Sequence, residues 1–167
     1  MGKKRSFTLR AVEASERNQL DDLLQAYLAE LAAFSDDLAA VDGRFEYPYL
    51  DHYWHDPYRF ACFILEGQVV CGFTLVRALR DPETNDDGME LAEIYVLPEV
   101  RRHGAATEIV KDLFRRWPGP WQIGVLPRNE RAYGFWQRLL REVDSGLVET
   151  RPGGGADSHI LFRLTAG

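Results

Sequence analysis

Apolar and polar residues change rhythm along the chain, and each change marks an element. Phe7-Thr8-Leu9-Arg10-Ala11-Val12 alternates apolar and polar side chains, the pattern of a half-buried strand. From Ser15, placed to cap a helix, Leu20, Leu23, Leu24, Tyr27, Leu28 and Leu31 recur at helical spacing and predict a long amphipathic helix ending near Phe34. Residues 59–66 and 69–79 predict a hairpin turning at Gly67-Gln68, with Ala61 to Leu65 apolar in succession and covered on both faces. Met89 to Val96 reads as a strand. Gly104 to Arg116 reads as a helix with Ala106, Ile109, Val110 and Leu113 on one stripe, stopped by Trp117-Pro118-Gly119-Pro120. A strand over Trp121 to Val125 follows, then a helix over Asn129 to Arg141 with Ala132, Phe135, Trp136 and Leu139 inward. Turn residues at Ser145-Gly146 and Pro152 to Gly155 surround a short strand near Val148, and Ile160 to Leu164 closes the sheet.

The predicted order is β-α-(α)-β-β-β-α-β-α-β-β. The strand–helix–strand unit over residues 89–125 is a crossover, which requires parallel strands. The remaining connections favour antiparallel pairing, so the expected fold is α+β, a mixed, mainly antiparallel sheet flanked by helices. No repeat or composition shift divides the 167 residues, and residues 1–167 read as one domain. Two stretches lack periodicity. One is the polar loop Arg80 to Gly88. The other, Ser35 to Pro57, holds Asp36, Asp37, Asp42, Glu46, Asp51 and Asp56 against Arg44 alone, with Phe45, Tyr47, Tyr49, His52, Tyr53, Trp54 and His55 and a short helix around Pro48 to Trp54. A stretch so acidic and aromatic is more than a connector.

Composition narrows the function. Apolar types make up 46% and charged types 28%, the balance of a folded globular chain. A net charge of −6 argues against sequence-independent binding to nucleic acid, which needs a basic face. No apolar run is long enough to span a membrane, and no secretory signal follows Lys3-Lys4-Arg5, so a cytoplasmic location is expected. Met1 to Ser6 fits the loose myristoylation pattern but reads as a flexible, solvated basic start. Cys62 and Cys71 make neither a disulfide framework nor a zinc site. With Glu66 opposite Val69 both thiols share one face of the hairpin, and two free, buried thiols are expected.

The chemistry concentrates in Glu93-Ile94-Tyr95-Val96-Leu97-Pro98-Glu99-Val100-Arg101-Arg102-His103-Gly104-Ala105-Ala106. A strand ends, a basic turn follows and a helix starts at a glycine. Free N–H groups, the positive end of the helix dipole and two arginines make a cradle for a pyrophosphate. A nucleotide-binding phosphate loop would place Lys and Ser or Thr after the glycine, where this chain has Ala105-Ala106.

Arg101-Arg102-His103-Gly104-Ala105-Ala106 resembles the Arg/Gln-x-x-Gly-x-Gly/Ala acetyl-CoA loop of the GNAT superfamily of N-acetyltransferases. Asn129-Glu130-Arg131-Ala132 with Phe135-Trp136 resembles that family's Asn-x-x-Ala helix start, in the expected order and 28 positions after Arg101. The specific match spans about Glu90 to Leu140. The resemblance implies transfer of an acetyl group from acetyl-CoA to a primary amine, without a metal. It implies that N–H groups of Arg102, His103, Gly104, Ala105, Ala106 and Thr107 hold the pyrophosphate, with charge from Arg101. It further implies that the backbone of Ile94, Tyr95 and Val96 pairs with the pantetheine arm beside a bulge near Tyr95 or Val96, and that Asn129 helps to position the arm with Trp136 beside it.

Two roles stay open. Many members carry a tyrosine as general acid where this chain has Trp136, and an indole cannot deliver a proton. Tyr133, one turn earlier, is the first substitute. The general base is Glu93 or Glu90, which parity puts on opposite faces of their strand; Glu93, nearer the expected bulge, is preferred over Glu90, and His52 and His55 are weaker candidates. The acidic, aromatic segment points to a small cationic amine or a basic peptide as acceptor, with homodimerisation a further expectation. The alternative is an acyl-CoA-binding sensor or interaction module of the same fold that no longer turns over.

Overall fold

The computed structural model describes residues 4–80, 87–151, 153 and 158–167. The described residues form strands β1 (Phe7–Ala11), β2 (Arg59–Glu66), β3 (Val69–Arg80), β4 (Asp87–Val96), β5 (Gly119–Val125), β6 (Val148–Thr150) and β7 (Ile160–Ala166). The helices are α1 (Arg17–Leu31), α2 (His52–His55), α3 (Ala105–Arg116) and α4 (Glu130–Val143). The strands make one sheet in the order β1-β2-β3-β4-β5-β7-β6. β4 and β5 are parallel and every other pair is antiparallel. The α+β order read from the sequence is therefore the observed one. Residues 1–3 of the myristoylation pattern (Met1 to Ser6), residues 81–86 of the polar loop (Arg80 to Gly88) and most of the glycine-rich loop (152 and 154–157) lie outside the described residues.

The sheet separates two apolar layers. On one face, Ile109, Val110, Leu113 and Phe114 of α3 and Trp136, Leu139 and Leu140 of α4 pack on Ile64, Leu91, Trp121, Ile123 and Phe162. On the other, Leu20, Leu24 and Leu28 of α1 pack with Leu50 and Tyr53 on Phe63, Phe73, Leu75 and Tyr95. Each helix carries its apolar residues on one stripe because only that side meets the sheet.

Two local details differ from the pattern reading, and a third lies outside it. Ser15 does not cap α1: a 3₁₀ turn at Ala14–Glu16 precedes it. There the Glu16 carboxylate accepts from the Glu13 N–H at 3.0 Å and pairs with Arg10 at 2.9 Å. In the hairpin, Glu66 does face Val69, but the register moves by one between Ile64 and Leu65. Cys62 thus faces Thr74, and Cys71 is the extra residue, its thiol donating to the Ile64 carbonyl at 3.4 Å. Both cysteines are buried and free, on the α3 side of the sheet. Finally, Gly72 is required where β3 meets the end of β4: a Cβ there would stand 2.1 Å from the Tyr95 carbonyl oxygen.

Candidate active site

β4 and β5 pair only at Met89↔Trp121, Glu90↔Gln122 and Leu91↔Ile123. Beyond Leu91 they part, because β4 continues on β3 to Val96 while β5 continues on β7 to Val125. The cause is one residue. Leu75 faces Glu93 and Val76 faces Leu91, so Ala92 has no partner on β3. Such a bulge bends its strand and re-aims the side chains around it. Its position corrects two expectations. The bulge lies at Ala92, not near Tyr95 or Val96. With one residue inserted between them, Glu90 and Glu93 stand on the same face, not on opposite faces, opposite Arg77 and Leu75 respectively. That face carries α1 and α2.

The helix after β4 starts at the end where the strands part. Pro98–Val100 makes one 3₁₀ turn, and α3 begins behind Gly104, whose φ of +80° suits a residue without a side chain. A Cβ at Gly104 would meet nothing within 4 Å, so this surface is open. Arg102 holds a positive φ of 65° and, with His103, is exposed at the mouth of the helix. Arg101 is engaged elsewhere. It donates to the Val96 carbonyl at 2.8 Å, pairs with Glu30 of α1 at 2.8 Å and lies over the Tyr95 ring at 5.5 Å. Its charge therefore ties the loop to α1. Ala105 is buried, so the first turn of α3 is seated against the core, and a helix start leaves its first N–H groups without partners inside the helix.

Glu93 stands just past the bulge among phenols. Tyr47 donates to its carboxylate at 3.2 Å, and the Tyr27 phenol lies close enough to act on its charge. Burial pushes the carboxyl up to about 7, with Glu90 adding repulsion, while the two phenols hold it down. Both phenols are in turn pushed well above the usual tyrosine range, first by burial and then by the Glu93 charge. Tyr53 lies beside Tyr47 and Arg59, and its buried hydroxyl has no hydrogen-bond partner among the described residues. Glu90, by contrast, is engaged by other side chains. It pairs with Arg77 at 2.9 Å and accepts from Gln122 at 3.0 Å.

The strand break, Glu93 just past it and the open start of α3 all fall between Leu91 and Thr107. The Acetyltransferase (GNAT) family model matches residues 21–140, which span this whole arrangement. The chain belongs to the GNAT acetyltransferase family. No curated protein matches it. Among solved structures it is similar to a GNAT-family acetyltransferase from Streptococcus agalactiae 2603 (15% identity, 96% of each chain, TM-score 0.72). It is also similar to an acetyltransferase from Thermus thermophilus (17% identity, 97% of this chain and 98% of that one, TM-score 0.67). A third is the spermidine N-acetyltransferase from Vibrio cholerae in complex with CoA and spermine (14% identity, 96% of this chain and 95% of that one, TM-score 0.65). At these identities the likeness is one of fold.

The remaining residues of the GNAT resemblance lie on α4. Asn129 caps the helix, its side-chain oxygen accepting from the Ala132 N–H at 3.2 Å, which leaves its amide N–H₂ group to donate. Trp136 is buried in the core, edge-on to Phe135 at 5.0 Å. Tyr133 points toward the far edge of the sheet. Its hydroxyl donates to Glu149 of β6 at 3.0 Å and accepts from Gln137 at 2.8 Å, while its ring stacks on Phe162. Glu93, Ile94, Tyr95 and Val96 thus lie on the part of β4 that β5 leaves unpaired, the loop from Arg101 to Thr107 follows it in the chain, and the Tyr133 hydroxyl is turned toward β6. His52 and His55 are exposed on α2. Among the described residues no cluster of three or more His, Cys, Asp and Glu could hold a metal ion, and no helix is long and apolar enough to cross a membrane.

The partners of Glu93 were not legible in the sequence. Tyr27 sits on the apolar stripe of α1 and reads as core, and Tyr47 lies in a segment without periodicity. The one available signal was the number of phenols in an acidic stretch that periodicity could not place.

Proposed function

We propose that this GNAT domain transfers an acetyl group from acetyl-CoA to the primary amine of a small cationic acceptor or basic peptide. The parting of β4 from β5 directly beside Glu93 carries this reading. In it, the N–H groups of residues 102–107 bind the pyrophosphate, with Arg102 and His103 at the rim. Backbone groups of residues 94–96, left without a strand partner on the β5 side, pair with the pantetheine arm, and the Asn129 amide adds a donor. The thioester then lies in the gap.

The amine nitrogen forms its bond to the thioester carbonyl carbon while the carbon–sulfur bond breaks. A free N–H of the β4 break donates to the oxygen on which charge develops. Glu93 takes the proton the amine loses, directly or through water. The Glu90 carboxylate is occupied by Arg77 and Gln122. The Tyr133 hydroxyl donates to Glu149 instead of facing the gap. The leaving thiolate, of ordinary pKa near 8.5, takes its proton from solvent.

A cationic acceptor is favoured by an anion beside the rings of Tyr27 and Tyr47, which can face an ammonium group. The field of the acidic segment is smaller than its composition suggests. Asp36, Asp51 and Asp56 pair with Arg128, Arg17 and Arg59. The Vibrio cholerae neighbour, which holds spermine, is consistent with an amine of this class. Release of free thiol from acetyl-CoA over a panel of amines tests the reading. Faster release with cationic primary amines than with anionic ones such as glutamate is expected. Tight binding of acetyl-CoA with no release above hydrolysis for any amine would favour the sensor instead.

A further inference from the structure

Tyr47 reaches Glu93 from a segment with almost no regular structure, so something must fix it there. The segment meets α1 at one short stretch. Gln25 grips the backbone of Phe45 from both sides: its amide donates to the Phe45 carbonyl at 2.9 Å and its oxygen accepts from the Phe45 N–H at 2.8 Å. One turn away, Arg44 pairs with Asp21 of the same helix at 2.6 Å. A Val41↔Arg44 bridge closes the loop behind the grip. Two residues on, Tyr47 donates to Glu93 and its ring stands edge-on to Tyr49 at 6.2 Å.

The grip satisfies both backbone groups of Phe45, which would otherwise be filled by water. It imitates one rung of a β-ladder with a side chain. The Arg44–Asp21 pair alone would not fix the register, since an exposed arginine can reach a carboxylate from many positions.

We propose that Gln25 is a positioning residue for acetyl transfer: by clasping Phe45 it seats Tyr47 on Glu93 and closes this side of the carboxylate to water. The inference rests on Glu93 as general base for its importance to catalysis, but the clasp itself is measurable without turnover. The groups that face Glu93 are Tyr27 of α1, Tyr47 of the clasped segment, Tyr53 of α2 and Glu90 of β4, with Arg77 of β3 held to Glu90. Burial is the largest influence on Glu93 and raises its pKa; the phenols oppose it. Opening the clasp removes part of the burial together with the Tyr47 bond, and the larger effect wins, so the midpoint falls. Removing the phenol alone leaves the burial in place, and the midpoint rises.

The test is NMR on protein labelled at glutamate carboxyl carbons, with the Glu93 signal assigned by its loss in Glu93→Gln, together with amide hydrogen exchange. Gln25→Ala is expected to speed exchange of the Phe45 N–H by about tenfold, the worth of one hydrogen bond, and to lower the Glu93 midpoint by about one pH unit. Gln25→Glu, equal in size but unable to donate to the Phe45 carbonyl, is expected to shift both in the same directions by less. Tyr47→Phe is expected to leave Phe45 exchange unchanged and raise the midpoint. Unchanged exchange and titration in both Gln25 variants, or a midpoint that rises in Gln25→Ala, would overturn the proposal. Full activity in Glu93→Gln would sink the general-base reading alone, because neither readout on the clasp uses turnover.

Discussion

A carboxyl group half covered by the fold loses hydration, and the phenols of Tyr27 and Tyr47 offset only part of that loss at Glu93. Its pKa near 7 has consequences for rate and for stability. A general base acts when deprotonated, so kcat/KM should rise through about pH 7 and level above it. Glu93→Gln should lower kcat/KM by about 10²–10⁴-fold and remove that limb, as steady-state kinetics across pH would show. For stability the sign runs the other way. The folded state holds the proton more tightly than the unfolded chain, whose Glu93 titrates near the ordinary glutamate value. Stability is therefore full below that value and declines as pH rises toward 7, by on the order of 3 kcal/mol. Glu93→Gln should accordingly melt at a higher temperature than the wild type at pH 8, with little difference at pH 4. Equal melting shifts at the two pH values would contradict a carboxylate desolvated by the fold. The sequence singles out Glu93 by its closeness to an expected strand break. It does not show the phenol partners, since Tyr47 is 46 positions away and no periodicity links the two.

At the scale of elements, the alternation in Phe7 to Val12, the stripes of the three long helices and the stop at Trp117 to Pro120 were enough to place nearly every strand and helix. What periodicity could not place was the single unpaired residue. Ala92 is one small apolar residue in an apolar strand, yet its insertion turns Glu90 and Glu93 to one face and parts β4 from β5. The glycines around the opening give the sharpest checks. Gly104→Glu puts a carboxylate at the start of α3 and a side chain at φ +80°. Calorimetric titration should show acetyl-CoA binding weakened at least about tenfold by the added charge. The backbone strain should cost about 1–2 kcal/mol of stability. Gly72→Ala drives a methyl group against the Tyr95 carbonyl oxygen, so β3 and β4 must separate where the opening begins. A loss of about 3 kcal/mol in denaturant unfolding is expected, with activity falling alongside it.

Across the whole molecule, the sheet divides the labour. One face, with α3 and α4, presents the open helix start, and the other, with α1, α2 and the clasped segment, presents Glu93 and its rings. The parting of two parallel strands joins the faces. Arg101 links them a second time, since it reaches from the loop before α3 to Glu30 of α1. A chain of net charge −6 with this arrangement should draw cationic acceptors through its field. The KM for a cationic amine is then expected to rise with ionic strength between about 0.05 and 0.5 M, where screening shortens to a few ångström, while the KM for a neutral amine stays flat. Equal salt dependence for both would remove the electrostatic argument for the acceptor class. The account as a whole depends on where the thioester lies. A crystal structure with CoA bound should show the pyrophosphate on the N–H groups of residues 102–107 and the sulfur in the gap past Leu91, on the side of Glu93. A sulfur lodged away from that gap, or a pyrophosphate seated elsewhere than the start of α3, would contradict it.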